Sequence, residues 1–335
     1  MTEDERYMAR CLQLASRGEL TTAPNPMVGA VIVHEGRILG EGWHRCYGGP
    51  HAEVNAVRAV RPEDDHLLPE ATIYVSLEPC SHWGKTPPCA ELLVEKGFQR
   101  VVVGCLDPNE KVAGRGIRRL QEAGIEVVVG VMEKECKWLN RKFMTFHTQH
   151  RPYITLKWAE SADGFIDRRR TSRADGEPVH FSTPWTQMLV HRLRATHEAI
   201  LVGRRTWELD QPSLTTRLWP GKNPKRLVLT GNKDLADSLS ALPQGREQSP
   251  LRTVTFEDFG EDACSAHSTP TREGAVSTCQ SLLVEGGAQT LQSFIDADLW
   301  DEAYIERSNI VLGDGIKAPE MKTDLKGRPI HVNFA

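Results

Sequence analysis

His51, Glu53, Cys80 and Cys89 are the residues of this 335-residue chain whose types and spacing could do chemistry. His51-Ala52-Glu53 opens a predicted helix, a predicted strand ends in Leu77-Glu78-Pro79-Cys80, and Cys89 follows after eight further residues. One histidine and two cysteines make a three-ligand zinc set, which leaves a fourth position for water. Zinc lowers that water's pKa to about 7 and so yields a hydroxide nucleophile at neutral pH. Glu53 shares the first helical turn with His51 and is placed to take the water's proton and pass it to a leaving group. Cys80 precedes a helix and Cys89 begins one; helix N-termini and zinc both favour the thiolate.

The C-terminal half carries a different constellation. It lacks Gly-x-Gly-x-x-Gly, so no Rossmann fold is predicted. Leu283-Val284-Glu285-Gly286-Gly287-Ala288 instead closes a strand ahead of a helix. Paired glycines there let a dinucleotide phosphate approach the free N–H groups of the helix start. Gly114 and Gly116 begin another predicted helix with the form of an anion nest, although a plain turn uses the same residues.

The His-x-Glu…Pro-Cys…Cys pattern is the zinc deaminase signature, with the glutamate as acid/base and not as ligand. Together with Pro24-Asn25-Pro26-x-Val28-Gly29, Gly42-Trp43-His44 and Cys80-x-His82-x-Gly84-Lys85-Thr86-Pro87-Pro88-Cys89, it resembles the deaminase half of the bifunctional riboflavin-biosynthesis deaminase/reductase family. Lys157-Trp158-Ala159-x-Ser161-x-Asp163-Gly164, Ala199 to Thr206, Asp210-x-Pro212-x-Leu214-Thr215-x-Arg217 and the Val284–Ala288 run resemble its reductase half.

The resemblance implies an N-terminal three-layer cytidine-deaminase-like α/β domain followed by a dihydrofolate-reductase-like α/β domain. It implies zinc-dependent deamination of 2,5-diamino-6-ribosylamino-4(3H)-pyrimidinone 5′-phosphate, then NADPH reduction of the ribosyl group to ribityl. Asn25, His44, His82 and Lys85 would contact the first substrate. Ala159, Thr206, Asp210 and the run Gly287, Ala288, Gln289, Thr290, Leu291, Gln292 and Ser293 would line NADPH. Arg194, Leu214, Arg217 and Glu285 would face the second substrate, where guanidinium forks suit a phosphate. Arg204 or Arg205 is a candidate for the NADPH 2′-phosphate, and Lys157 for a place near the reacting centre. The chain departs from the pattern at Ala162, at Pro178, which stands for a substrate-facing serine, and at His180, which stands for a cofactor-facing tryptophan. The alternative reading is a nucleoside or nucleic-acid zinc deaminase with a non-catalytic C-terminal domain. A net charge of −4 and the eight-residue cysteine loop weigh against it.

These residues need elements to hold them. At 335 residues, with 39% hydrophobic and 26% charged side chains, the chain has the make-up of about two globular domains. Strands and helices alternate through residues 3–129, which favours helices on both faces of a sheet. Thr2 and Glu5 predict a capping box for the first helix. The polar stretch Thr145–Arg151 is the expected linker, between a deaminase domain over 1–147 and a reductase domain over 151–335. A second series runs from Tyr153–Trp158 to Ala303–Ile305, with Arg204–Thr206 in a loop. Residues 231–280 read as loop apart from a strand-like Thr253–Phe256. No run approaches 18 apolar residues and the N-terminus has no apolar signal region, so neither membrane nor nucleic acid is an expected partner and the cytoplasm is the expected compartment. The eight cysteines are therefore expected as thiols or metal ligands. Whether copies associate as a homo-oligomer is left open.

Overall fold

The computed structural model describes residues 1–83, 87–108, 113–230, 251–255, 259, 279–321 and 327–334. The chain divides into two compact units, Met1–Thr148 and Gln149–Ala335.

In the first unit, α1 (Glu3–Ala15) is followed by the hairpin β1 (Gly29–His34) and β2 (Arg37–Trp43), then α2 (Ala52–Arg58), β3 (Thr72–Leu77), α3 (Cys89–Glu95), β4 (Arg100–Cys105), α4 (Arg115–Glu122), β5 (Glu126–Val129), α5 (Glu133–Leu139) and α6 (Arg141–Gln149). Thr2 and Glu5 form the capping box, each side chain bonding the other's backbone N–H. The sheet order is β2-β1-β3-β4-β5; β1 runs antiparallel to both neighbours and β3, β4 and β5 are parallel. Side-chain alternation makes the three layers. Ala30 and Ile32, Ile73 and Val75, and Val101 and Val103 join Ala52, Ala56, Leu93 and Leu120 of α2–α4 on one face. Val31, Val33, Tyr74 and Val102 join Tyr7, Met8, Cys11 and Leu14 of α1, with Cys136 of α5, on the other. At Gly42 a Cβ would lie 2.3 Å from the Ala56 nitrogen, so only glycine lets α2 seat on β2.

The boundary between the two units falls inside the expected linker, but that stretch is largely helical. Thr145 to Gln149 form the end of α6, and Thr145 is buried. A polar composition does not stop a helix whose partner surface is distant in sequence.

The second unit has β6 (Tyr153–Glu160), β7 (Phe165–Asp167), α7 (Pro184–Ala195), β8 (Ala199–Gly203), α8 (Arg204–Asp210), β9 (Lys225–Leu229), β10 (Leu251–Val254), β11 (Ser281–Val284), α9 (Ala288–Asp296), β12 (Glu302–Arg307), β13 (Ile316–Lys317) and β14 (Ile330–Phe334). The main sheet, β10-β9-β8-β11-β6-β12-β14, is parallel at every pairing. Ile154, Leu156 and Trp158 of β6 pack with Leu291, Phe294 and Ile295 of α9 on one face. Ile200 and Val202 of β8 pack with Val228, Leu283 and Leu214 on the other, beside Leu193 of α7 and Trp207 of α8. Arg204-Arg205-Thr206 is the first turn of α8, not loop; that helix buries no residue fully, so it has no apolar stripe to read. The strand expected at Thr253–Phe256 is Leu251–Val254, while 231–250, 256–258 and 260–278 lie outside the described residues. Among the described residues no helix is long and apolar enough to cross a membrane.

Candidate active sites

The first site sits where β3 and two helix starts converge. His51 is the N-cap of α2, Cys89 the first residue of α3, and Cys80 lies just beyond β3. His51 Nδ1 is 3.5 Å from Cys80 Sγ and 3.3 Å from Cys89 Sγ, and the three donor atoms lie within 4.8 Å of one another. Tetrahedral zinc, with bonds of about 2.0–2.3 Å, separates its nitrogen and sulfur ligands by about 3.5 Å, so the set fits zinc. The three donor groups also hydrogen-bond one another. Hydrogen bonds from the Cys89 thiol, His51 and the Cys89 N–H hold Cys80 down at about 4, and the same sharing pushes Cys89 up. A hydrogen bond with Cys80 raises His51 to about 9.

Glu53 is buried in the first turn of α2. Burial pushes its carboxyl up to about 7, close to the point where it can both accept and release a proton at neutral pH. His44 lies edge-on to His51, with ring centres 5.5 Å apart. Its Nδ1 donates to the Pro50 carbonyl at 3.0 Å, which leaves Nε2 to accept from Asn25 Nδ2 at 3.1 Å. Burial lowers the His44 pKa, so the ring is a neutral orienting group. The structure thus brings Asn25 and His44 together beside the donors. His82 is exposed on the loop between the cysteines, and Lys85 lies outside the described residues.

Gly114 and Gly116 do bind an anion, but one supplied by the chain. Buried Glu78 accepts from Gly114 N and Gly116 N, each at 3.0 Å, and from Asp107 N at 3.3 Å. This ties the strand end that carries Cys80 to the start of α4.

The second site is a cavity of about 990 Å³ in the second unit. Ala159, His180, Thr206 and Asp210 line it, as do Arg194, Leu214, Arg217 and Glu285, Lys157, both Arg204 and Arg205, and Pro178. Gly287 to Leu291 and Ser293 line it too. Gln292 points elsewhere: its amide bonds Asp296 and the backbone of Glu320, because a helix turns successive residues to different faces. Arg194 is not a free fork. It grips Glu285 at 2.9 and 2.6 Å and donates to the Thr215 carbonyl, with both partners nearly buried. Burial works against ionising Glu285, yet Arg194 holds its carboxyl below the usual range. Arg217 is exposed, and among the described residues it hydrogen-bonds the Ser213 and Thr215 hydroxyls. Asp210 is taken up by Arg170, which also holds Asp167. Arg204 pairs with Glu208 and Arg205 donates to the Arg170 carbonyl.

Gly286 lines the cavity and also has a packing role that the sequence does not suggest. A Cβ there would lie 2.8 Å from Val202 Cα and 2.9 Å from Gly203 N, so it serves the packing of β11 on β8. Gly287, at φ +38°, makes the turn into α9, whose first residues line the cavity. The sequence reading missed Gln187 and His191, which line the cavity from α7. Counting back three residues from Arg194, and four more from His191, would have found them. Burial, then Arg194 and Arg217, lowers His191 to about 4; its Nδ1 accepts from Leu218 N–H, so Nε2 is the protonated nitrogen.

Comparison with known proteins agrees with this division. Residues 1–105 match the cytidine and deoxycytidylate deaminase zinc-binding region, and residues 152–327 match the RibD C-terminal domain. The riboflavin biosynthesis protein RibD of Aquifex aeolicus is 36% identical over 338 residues, covering 95% of this chain and 90% of the relative. The chain belongs to the RibD family. The RibD of Bacillus amyloliquefaciens is also 36% identical, over 95% of this chain and 87% of its own. The crystal structure of the Thermotoga maritima diaminohydroxyphosphoribosylaminopyrimidine deaminase/5-amino-6-(5-phosphoribosylamino)uracil reductase superposes with a TM-score of 0.78 at 34% identity, covering 97% of this chain and 93% of that one. Acinetobacter baumannii RibD gives 0.77 at 30% identity, covering 96% and 91%. RibD membership spanning both halves disfavours the nucleic-acid deaminase alternative, because the C-terminal half matches a RibD domain in its own right.

Proposed function

We propose that this RibD-family chain performs two consecutive steps of riboflavin biosynthesis. The first converts the 2-amino group of 2,5-diamino-6-ribosylamino-4(3H)-pyrimidinone 5′-phosphate to oxygen; the second reduces the ribosyl group to ribityl with NADPH. The observation that carries this reading is the convergence of His51, Cys80 and Cys89 beside buried Glu53, in a chain whose other unit holds a separate cofactor-sized cavity.

In the deaminase, His51, Cys80 and Cys89 would hold zinc, which would supply an activated water. Glu53 accepts the water's proton and returns it to the departing amine, so water enters at C2 and ammonia leaves. Asn25, oriented by His44, contacts the pyrimidine, and His82 and Lys85 contact the rest of the substrate, including its phosphate.

In the reductase, NADPH supplies the hydride, and the protein supplies orientation and charge. The α9 N-terminus from Gly287 to Thr290 receives the cofactor's pyrophosphate, and Arg204 or Arg205 its 2′-phosphate. Arg217, free of carboxylate partners among the described residues, takes the ribose phosphate. Arg194 instead shapes Glu285. The substrate's C1′–O4′ bond breaks, C1′ gains the hydride and O4′ a proton.

The test supplies the diaminopyrimidinone with and without NADPH and identifies each product by mass. Expected are loss of NH for O without NADPH, and a further gain of two hydrogens with it. No turnover of this substrate alongside turnover of cytidine or RNA overturns the reading. NADH as effective as NADPH removes the role given to Arg204 and Arg205.

A further inference from the structure

The reductase cavity has one lysine in its wall among the described residues, Lys157 on β6. Its neighbour on the adjacent strand is unusual. In the parallel β12/β6 register Tyr304 lies opposite Lys157 and Glu306 opposite Ala159, so Glu306 is the diagonal neighbour of Lys157 on the same sheet face. Glu306 Oε2 is 3.7 Å from Lys157 Nζ and accepts a 2.7 Å hydrogen bond from Ser182 Oγ. Its side chain is 5% exposed, and its Oε1 is buried with no partner among the described residues. A buried carboxylate so sparsely bonded is costly unless its charge is used. Glu306 is not among the residues that line the cavity, so it meets a ligand through the wall residues Lys157 and Ser182.

We propose that Glu306, clamped by Ser182, is the positioning residue that fixes the Lys157 ammonium at the cavity wall, where it donates to the sugar oxygens of the reductase substrate. An ammonium has three donors; one directed at Glu306 leaves two for the ligand. Ser182 stands directly before the N-cap of α7 (Thr183), so the clamp also ties the loop entering α7 to the sheet.

The inference rests on the reductase reading, and two independent readouts separate them. The full chain is prepared as wild type, Glu306→Gln, Ser182→Ala, Lys157→Ala and the Glu306→Gln/Lys157→Ala double variant. Turnover of the deaminated intermediate is measured, with deaminase turnover as an internal control. In parallel, competitive acylation of Lys157 is followed by peptide mass, with lysines of the first unit as reference. Glu306→Gln is expected to lower reductase kcat about ten-fold, with the KM for NADPH and the deaminase rate held within about two-fold. Ser182→Ala is expected to lower kcat about three-fold, and Glu306→Gln to add less than about two-fold once Lys157 is alanine. Lys157 is expected to acylate several-fold faster in Glu306→Gln and, to a lesser degree, in Ser182→Ala. Multiplying losses in the double variant, or unchanged Lys157 acylation, overturns the proposal. If the wild type deaminates but does not reduce, the reductase reading falls, and the acylation ratio still decides whether Glu306 holds Lys157. If Glu306→Gln does not fold, Ser182→Ala carries both readouts.

Discussion

Around His51, three ligand atoms converge within 4.8 Å, and the acid/base residue is two positions away in sequence. Around Lys157, the charged groups come from β6, α7, β11, β12 and the segments beside α8, and most are already matched: Arg194 with Glu285, Arg170 with Asp167 and Asp210, Lys157 with Glu306. The first site places its reactive groups on its own short segments. The second spends its charges on one another and presents a shaped space to a cofactor that brings the chemistry. Substitutions in the first should therefore abolish a reaction while leaving the fold, whereas substitutions in the second should register in stability as well as rate.

The largest effect expected is from Cys89→Ser. Zinc content should fall from about one per chain to near none and deaminase turnover should vanish, while the supplied deaminated intermediate is still reduced. Metal analysis beside the two assays checks this; joint loss of both activities would break the contrast. Glu53→Gln should keep the metal and lower deaminase kcat by about 10²–10⁴, the usual span for general acid/base catalysis. Arg194→Ala leaves Glu285 buried without its partner and should cost the second unit about 3–5 kcal/mol in denaturant unfolding, with deaminase turnover unchanged. Gly286→Ala forces a methyl against Val202 and should cost about 1–3 kcal/mol in the same unit.

The smallest effect sharpens the comparison from the side of the first unit. Arg100 forks onto Asp4 at 2.9 and 2.8 Å and Tyr74 donates to the same carboxylate, which holds its pKa below the ordinary 3.8. A carboxyl lowered on folding stabilises above its unfolded pKa and loses that contribution as pH falls through the folded one. Asp4→Asn should thus cost about 1 kcal/mol at neutral pH, with the gap from wild type closing below about pH 4 in a thermal-melt series.

How far the sequence could be read follows from the same contrast. The His51, Glu53, Cys80 and Cys89 set lies on short motifs, and its elements alternate cleanly because β1, β3 and β4 are β-branched runs buried on both faces. The reductase motifs were visible, but their partnerships were not. Arg194 and Glu285 stand 91 positions apart, and nothing in either motif says that one fork closes on the other's carboxylate. The helices passed over bury little: α5 only Cys136, α6 only Thr145, and α8 nothing fully. Gly286 shows a motif residue with a second physical reason, since a Cβ there would meet Val202 as well as the cavity.

Glu78 carries one more consequence. By Cys89 the growing chain already contains every zinc donor. Yet the segment bearing Cys80 is also anchored through Asp107, Gly114 and Gly116, which present their N–H groups to Glu78 from up to 38 residues further on. The placement of Cys80 thus draws on residues that emerge after all three candidate ligands.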